Sequence, residues 1–144
     1  MMDVAIVYWS GTGNTEKMAE LVAQGVKEAG GNAHMYAPKD FTADEAEKYS
    51  AIAFGCPAMG DEELEDGEFK PMFNEVRPLL SDKNAVLFGS YGWGDGEWMR
   101  QWNDDCSSAG CQIIKEPVMA NYEPDASVSE ACINLGAALV NIQA

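Results

Sequence analysis

Between the first apolar run and the first helical pattern the chain reads Tyr8-Trp9-Ser10-Gly11-Thr12-Gly13-Asn14-Thr15. Two glycines let the backbone turn its N–H groups inward, and the helix N-terminus that follows adds a partial positive charge. Ser10, Thr12, Asn14 and Thr15 add hydroxyl and amide donors. Such a loop is an anion cradle, and phosphate is the anion it suits. No Lys or Arg lies between Met1 and Glu16, so dipoles alone would hold the phosphate. Competing motifs fail on the same letters. A P-loop needs a Gly-Lys pair, which the chain lacks, and a dinucleotide fingerprint needs a third glycine where Glu16 stands. A cysteine phosphatase would need Cys and Arg in this loop, and neither is there. The remaining alternative is a polar strand-to-helix turn with no ligand.

Two more loops carry chemistry. One runs Gly55-Cys56-Pro57-Ala58-Met59-Gly60-Asp61-Glu62-Glu63-Leu64-Glu65-Asp66-Gly67-Glu68, and six of its eight residues from 61 to 68 are acidic. A run this dense repels itself. It reads as a solvated helix entrance, with Glu65 and Asp66 favouring the helix that starts near Phe69, as a docking feature, or as both. The other loop is Gly89-Ser90-Tyr91-Gly92-Trp93-Gly94-Asp95-Gly96. Its glycines let backbone run close to a flat ligand, and Trp93 either stacks on that ligand or caps the core.

These loops need elements to position them. Val4–Val7, Ala51–Phe54 and Ala85–Phe88 are continuous apolar runs, the pattern of strands buried on both faces of a parallel sheet. Weaker runs lie at Asn32–Tyr36 and Cys111–Met119. Helical stripes alternate with them: Met18, Leu21, Val22, Gly25, Val26 and Ala29; Phe69, Met72, Phe73, Val76 and Leu80; Trp98, Trp102, Cys106 and Ala109; Val128, Cys132, Leu135, Leu139 and Ile142. Thr42 and Glu45 have the spacing of a capping box for a short helix. Five alternating strands imply an α/β three-layer sandwich. Pro38 and Pro117 push the second and fifth strands to the edges, giving the order 2-1-3-4-5. Ligands in such sheets bind beyond the carboxyl ends of the strands where the order reverses, which selects the loops after strands one, three and four.

The chain has 144 residues, with nine Lys and Arg against 24 Asp and Glu, for a net charge of −15. That length suits one domain, residues 1–144. The charge excludes nucleic acid and anionic membrane surfaces as partners and favours basic proteins. The longest uncharged stretch, Ala131 to Ala144, has 14 residues, too few to span a bilayer. Cys56, Cys106, Cys111 and Cys132 form no C-x-x-C pair, and with a single histidine no zinc pattern can be assembled. Reduced thiols in the cytoplasm are the expectation. His34 lies in the second strand, away from the three loops, and reads as a surface or structural residue.

The motif Ser10-Gly11-Thr12-Gly13-Asn14-Thr15 resembles the FMN-phosphate loop of flavodoxins, and Ala58-Met59-Gly60-Asp61-Glu62 and Gly89-Ser90-Tyr91-Gly92-Trp93-Gly94 look like the flavin-gripping loops of short-chain flavodoxins from anaerobes. The likeness runs along essentially the whole chain, without the insertion in the fifth strand typical of long-chain members. It implies a flavodoxin-like fold and a low-potential one-electron carrier, using non-covalently bound FMN between neutral semiquinone and anionic hydroquinone. Ser10 to Thr15 would wrap the phosphate with Ser90 nearby, Met59 would lie on the inner face of the isoalloxazine and Trp93 on the outer. Glu62 would accept from the flavin N3–H, and backbone at Gly92 and its neighbours would approach the pyrimidine edge. Pro57, Tyr91 and Gly94 complete the expected cofactor set, and no catalytic or metal-binding residue is implied. Trp9 would either pack beside the ribityl chain or serve the core. Gly60, lacking a Cβ, would let the Gly60–Asp61 peptide flip and offer its carbonyl to flavin N5. The acidic run and the net charge would disfavour the second electron's added negative charge and so lower that potential. Partners would be redox proteins with basic docking surfaces, and a small monomer is the default. Rival functions are a flavin or quinone reductase, for which the chain lacks extra substrate-binding segments, and a phosphoacceptor receiver, which needs an acidic pair after strand one.

Overall fold

The computed structural model of the chain describes residues 2–11, 13–59, 63–92 and 94–141. The expected roles of Thr12, Gly60, Asp61, Glu62 and Trp93, and the last position of the C-terminal stripe, Ile142, lie outside the described residues.

The apolar runs become the strands β1 (Asp3–Tyr8), β3 (Ala51–Gly55) and β4 (Asn84–Tyr91), with β2 (Asn32–Tyr36) at one edge. The strand pairings among the described residues are parallel, in the order β2-β1-β3-β4-β5, where β5 is Gln112–Ile113. Alternation sends successive side chains of each run to opposite faces. Val4, Ile6, Ala51, Ala53, Val86 and Phe88 therefore enter one core, and Ala5, Val7, Ile52, Phe54, Ala85 and Leu87 the other. The first core is covered by α1 (Asn14–Glu28) and α5 (Ala126–Asn141). The second is covered by α3 (Phe69–Val76), α4 (Glu97–Ser108) and the short α2 (Ala43–Ala46).

Two local expectations need correction. The stretch expected as one strand over 111–119 is split into β5 and β6 (Val118–Asn121), both paired with β4. Pro117 stands just before β6; lacking an N–H, it cannot donate to the ladder. Gly89, Ser90 and Tyr91, expected in a loop, extend β4 because β6 supplies partners for them at Met119, Ala120 and Asn121. The Thr42 cap is present, its Oγ1 accepting from the Glu45 N–H at 3.3 Å, but the reciprocal half of the box is replaced. The Glu45 carboxylate instead accepts from the Tyr36 hydroxyl and the Lys48 ammonium. His34 sits on β2 beside Asp3 at 3.1 Å, remote from the loops after β1, β3 and β4.

All four cysteines are buried and free. Burial pushes the thiols of Cys56 and Cys132 up to about 12 and that of Cys111 up to about 11, from an ordinary 9.0, and raises Cys106 as well. Between the unfolded and folded values the native state holds protons that the unfolded chain has lost, so stability is full below pH 9.0 and declines as pH rises toward 11 and 12. The urea midpoint in reducing buffer should fall on passing from about pH 8.5 to 10.5. A constant midpoint would contradict the burial argument.

Candidate cofactor-binding site

The carboxyl ends of β1, β3 and β4 meet at one end of the sheet, and the residues after them surround a cleft of about 250 Å³. Asn14 and Thr15 form its floor on the β1 side, Pro57, Ala58 and Met59 one wall, and Ser90, Tyr91 and Gly92 the other.

Gly13 precedes α1 at φ 98°, a left-handed conformation that costs a residue without Cβ little. The turn lets Ser10 Oγ accept from the Gly13 N–H at 3.1 Å and the Glu16 N–H at 3.2 Å. The N–H groups of Asn14 and Thr15, in the first turn of α1, have no acceptor among the described residues. Thr15, 1% exposed, binds across the molecule: its Oγ1 lies 2.9 Å from Ser90 Oγ and accepts from the Ser90 N–H at 3.3 Å. This bond locks the first turn of α1 to the end of β4. Unsatisfied first-turn N–H groups, neutral hydroxyls and the helix dipole fit a phosphate monoester, and the apolar walls of the cleft fit a flat ring system.

Trp9 takes the core role expected of it and also reaches the cleft. Its ring packs on the α3/α4 core and lines the cleft, lying so close over Gly11 that a Cβ there would meet it at 3.1 Å. Its Nε1–H donates to Glu68 at 3.0 Å, joining the first loop to the entrance of α3.

The second loop is closed at its base. Met59 and Glu63 exchange two backbone bonds of 2.8 and 2.9 Å. Below this, the Cys56 thiol accepts from the Glu65 N–H at 3.4 Å. The Glu65 carboxylate in turn accepts from the N–H groups of Gly67, Glu68 and Phe69 at 2.7–2.8 Å, capping α3. Burial works to raise that carboxyl, but the three backbone donors outweigh it and hold Glu65 below the ordinary carboxylate range. Part of the acidic run is thus a helix entrance, while Glu63, Asp66 and Glu68 stay exposed.

Gly94, expected near the ring, takes a positive φ of 89° and is exposed, but is not among the residues lining the cleft. Conversely Tyr122, just after β6, does line it. Nothing in its local sequence marks it, because β6 reaches the cleft only by pairing with β4.

The flavodoxin family model matches residues 6–136. A flavodoxin of Clostridium beijerinckii is 45% identical over 137 residues, covering 95% of this chain and 99% of that one. The chain belongs to the flavodoxin family. A flavodoxin of Megasphaera elsdenii is also 45% identical, over 85% of this chain and 88% of the relative. The solution structure of two-electron reduced Megasphaera elsdenii flavodoxin superposes with a TM-score of 0.89 at 43% identity, covering 96% of this chain and 98% of that one. As a short-chain flavodoxin the protein binds FMN and carries electrons to redox partner proteins, and it is an electron-transfer protein and not an enzyme. No helix among the described residues is long and apolar enough to cross a membrane.

Proposed function

We propose that residues 1–144 act as a single, monomeric, cytoplasmic domain whose cleft holds FMN, and that its acidic rim steers the flavin edge toward basic surfaces of redox partners. FMN supplies one-electron chemistry at low potential; the chain supplies binding, orientation and shielding. Ser10, Gly11, Thr12, Gly13, Asn14 and Thr15 hold the phosphate, with Ser90 bracing Thr15. Met59 and Trp93 enclose the ring, Pro57, Ala58, Tyr91, Gly92 and Gly94 shape the approach to it, and Gly60, Asp61 and Glu62 contact its polar edge. The observation that carries this reading is the buried Thr15–Ser90 bond, which joins the first turn of α1 to the end of β4, 75 residues apart, beside the cleft.

For the partner, the support is charge. Glu16, Glu63, Asp66, Glu68, Asp95 and Glu123, all exposed, sit on segments at the cleft end of the sheet, within a chain of net charge −15. Of the cations nearby, Lys17 is paired with Glu123, and Arg100 with Asp95 and Glu97. Attraction of this kind acts on encounter and is screened over roughly 8–10 Å at moderate salt. The second-order rate of electron transfer to a cationic redox protein should therefore drop about tenfold between low salt and roughly 0.5 M. Glu63→Gln with Asp66→Asn should flatten that dependence. A rate indifferent to ionic strength would remove the steering part of the proposal.

A further inference from the structure

Tyr122 is the most exposed of the large hydrophobic side chains among the described residues, at 62%, yet its backbone is tightly specified. It takes φ 63°, a left-handed conformation that a bulky residue rarely adopts. Its N–H donates to the Tyr91 carbonyl at 2.8 Å, and the Asn121 side chain donates to the same oxygen at 3.3 Å. On its other side, Glu123 is paired with Lys17 of α1, and Asp125 accepts from the Val128 N–H at 2.8 Å to cap α5. The segment is held at both ends. This holding sets the Tyr122 ring against Gly92, where a Cβ would come within 3.1 Å of Cε1, and on the wall of the cleft.

A left-handed tyrosine costs conformational energy, and a ring left in water returns little of it. Such strain persists where it serves a ligand site. We propose that the Tyr122 ring is a wall of the FMN cleft, in addition to Met59, and that its burial by the bound cofactor contributes to affinity. The proposal rests on the reading of this cleft as the FMN site. Gly92, by having no side chain, leaves room for the ring to lie there. The contribution is apolar and comes from the ring, not from the hydroxyl.

The test is titration of apoprotein into FMN, read by quenching of flavin fluorescence, for the parent chain, Tyr122→Gly and Tyr122→Phe, with thermal unfolding of each apoprotein. Tyr122→Gly should bind FMN about tenfold more weakly, as expected for loss of an aromatic contact, while its apoprotein unfolds at the same or a higher temperature because glycine accepts the positive φ. Tyr122→Phe should bind within about twofold of the parent. Parent-like affinity in Tyr122→Gly, a weaker-binding glycine variant with a destabilised apoprotein, or a phenylalanine variant as weak as the glycine one would each overturn the inference. Failure of the parent itself to quench FMN would instead overturn the cleft assignment, and with it this inference.

Discussion

Thr15→Val should weaken FMN binding at least about tenfold and lower the unfolding free energy of the apoprotein by roughly 1–3 kcal/mol. Valine keeps the shape of threonine but has no hydroxyl. The Ser90 N–H, whose acceptor is Thr15 Oγ1 at 3.3 Å, and the Ser90 hydroxyl at 2.9 Å would both lose their partner in a site where Thr15 is 1% and Ser90 5% exposed. Leaving buried donors unmade costs more than the net worth of the bond. The affinity falls for a second reason: the first turn of α1, proposed above to hold the phosphate, is no longer fastened to β4. Urea unfolding of the apoprotein and FMN titration separate the two effects. Ser90→Ala alone should be milder, since the backbone N–H keeps its acceptor, and the double variant should fall short of the sum of the singles. Full retention of FMN affinity in Thr15→Val would mean that the loop holds its shape without this bond.

The second large effect belongs to the scaffold. Gly25 on α1 and Gly136 on α5 each lie against the backbone of the other helix. A Cβ on Gly136 would stand 2.0 Å from the Val22 carbonyl oxygen and 2.8 Å from the Val26 nitrogen; one on Gly25 would stand 1.9 Å from the Ile133 carbonyl oxygen. These are backbone atoms that cannot swing aside, so the helices must separate and lift off the sheet. Gly136→Ala should cost upwards of about 3 kcal/mol, at the severe end for an added methyl group. The crossing lies away from the cleft-forming loops, so the folded fraction should still bind FMN close to normally. Urea unfolding decides it: a loss under about 1 kcal/mol would show that the helices slide apart cheaply.

Much of this molecule is legible from neighbouring residues. Val4–Val7, Ala51–Phe54 and Ala85–Phe88 read correctly as central parallel strands because a strand covered on both faces has no polar side to interrupt the run. The helical stripe Phe69, Met72, Phe73, Val76 and Leu80 is buried throughout, since its spacing alone puts these side chains on one face. Glu65 was identifiable as a helix-entrance acid from its place before Phe69, and it does cap α3. The turn into α1 was marked by its Gly and Ser, and the structure has Gly13 left-handed with Ser10 Oγ accepting from the Gly13 and Glu16 N–H groups.

What could not be read involves partners far apart in the chain. The end of β4 looked like loop because Gly89, Ser90 and Tyr91 have poor strand composition; β6 supplies the missing ladder through a register only the folded sheet defines. The division of Cys111–Met119 into two short strands likewise depends on where Pro117 falls against β4. Trp9 has two equally good local readings, and packing puts its ring on the core and at the edge of the cleft.

The sequence by itself determined the α/β class and the strand order, because apolar runs, helical stripes and prolines are written in the types and spacing of neighbouring residues, and its three loop motifs pointed to the family by resemblance. Only the tertiary structure decided that Thr15 locks onto Ser90, that the thiol of Cys56 braces Glu65, and that Tyr122 stands at the cleft. Those contacts arise when parallel strands bring their carboxyl ends together, and no local pattern specifies which side chains then meet.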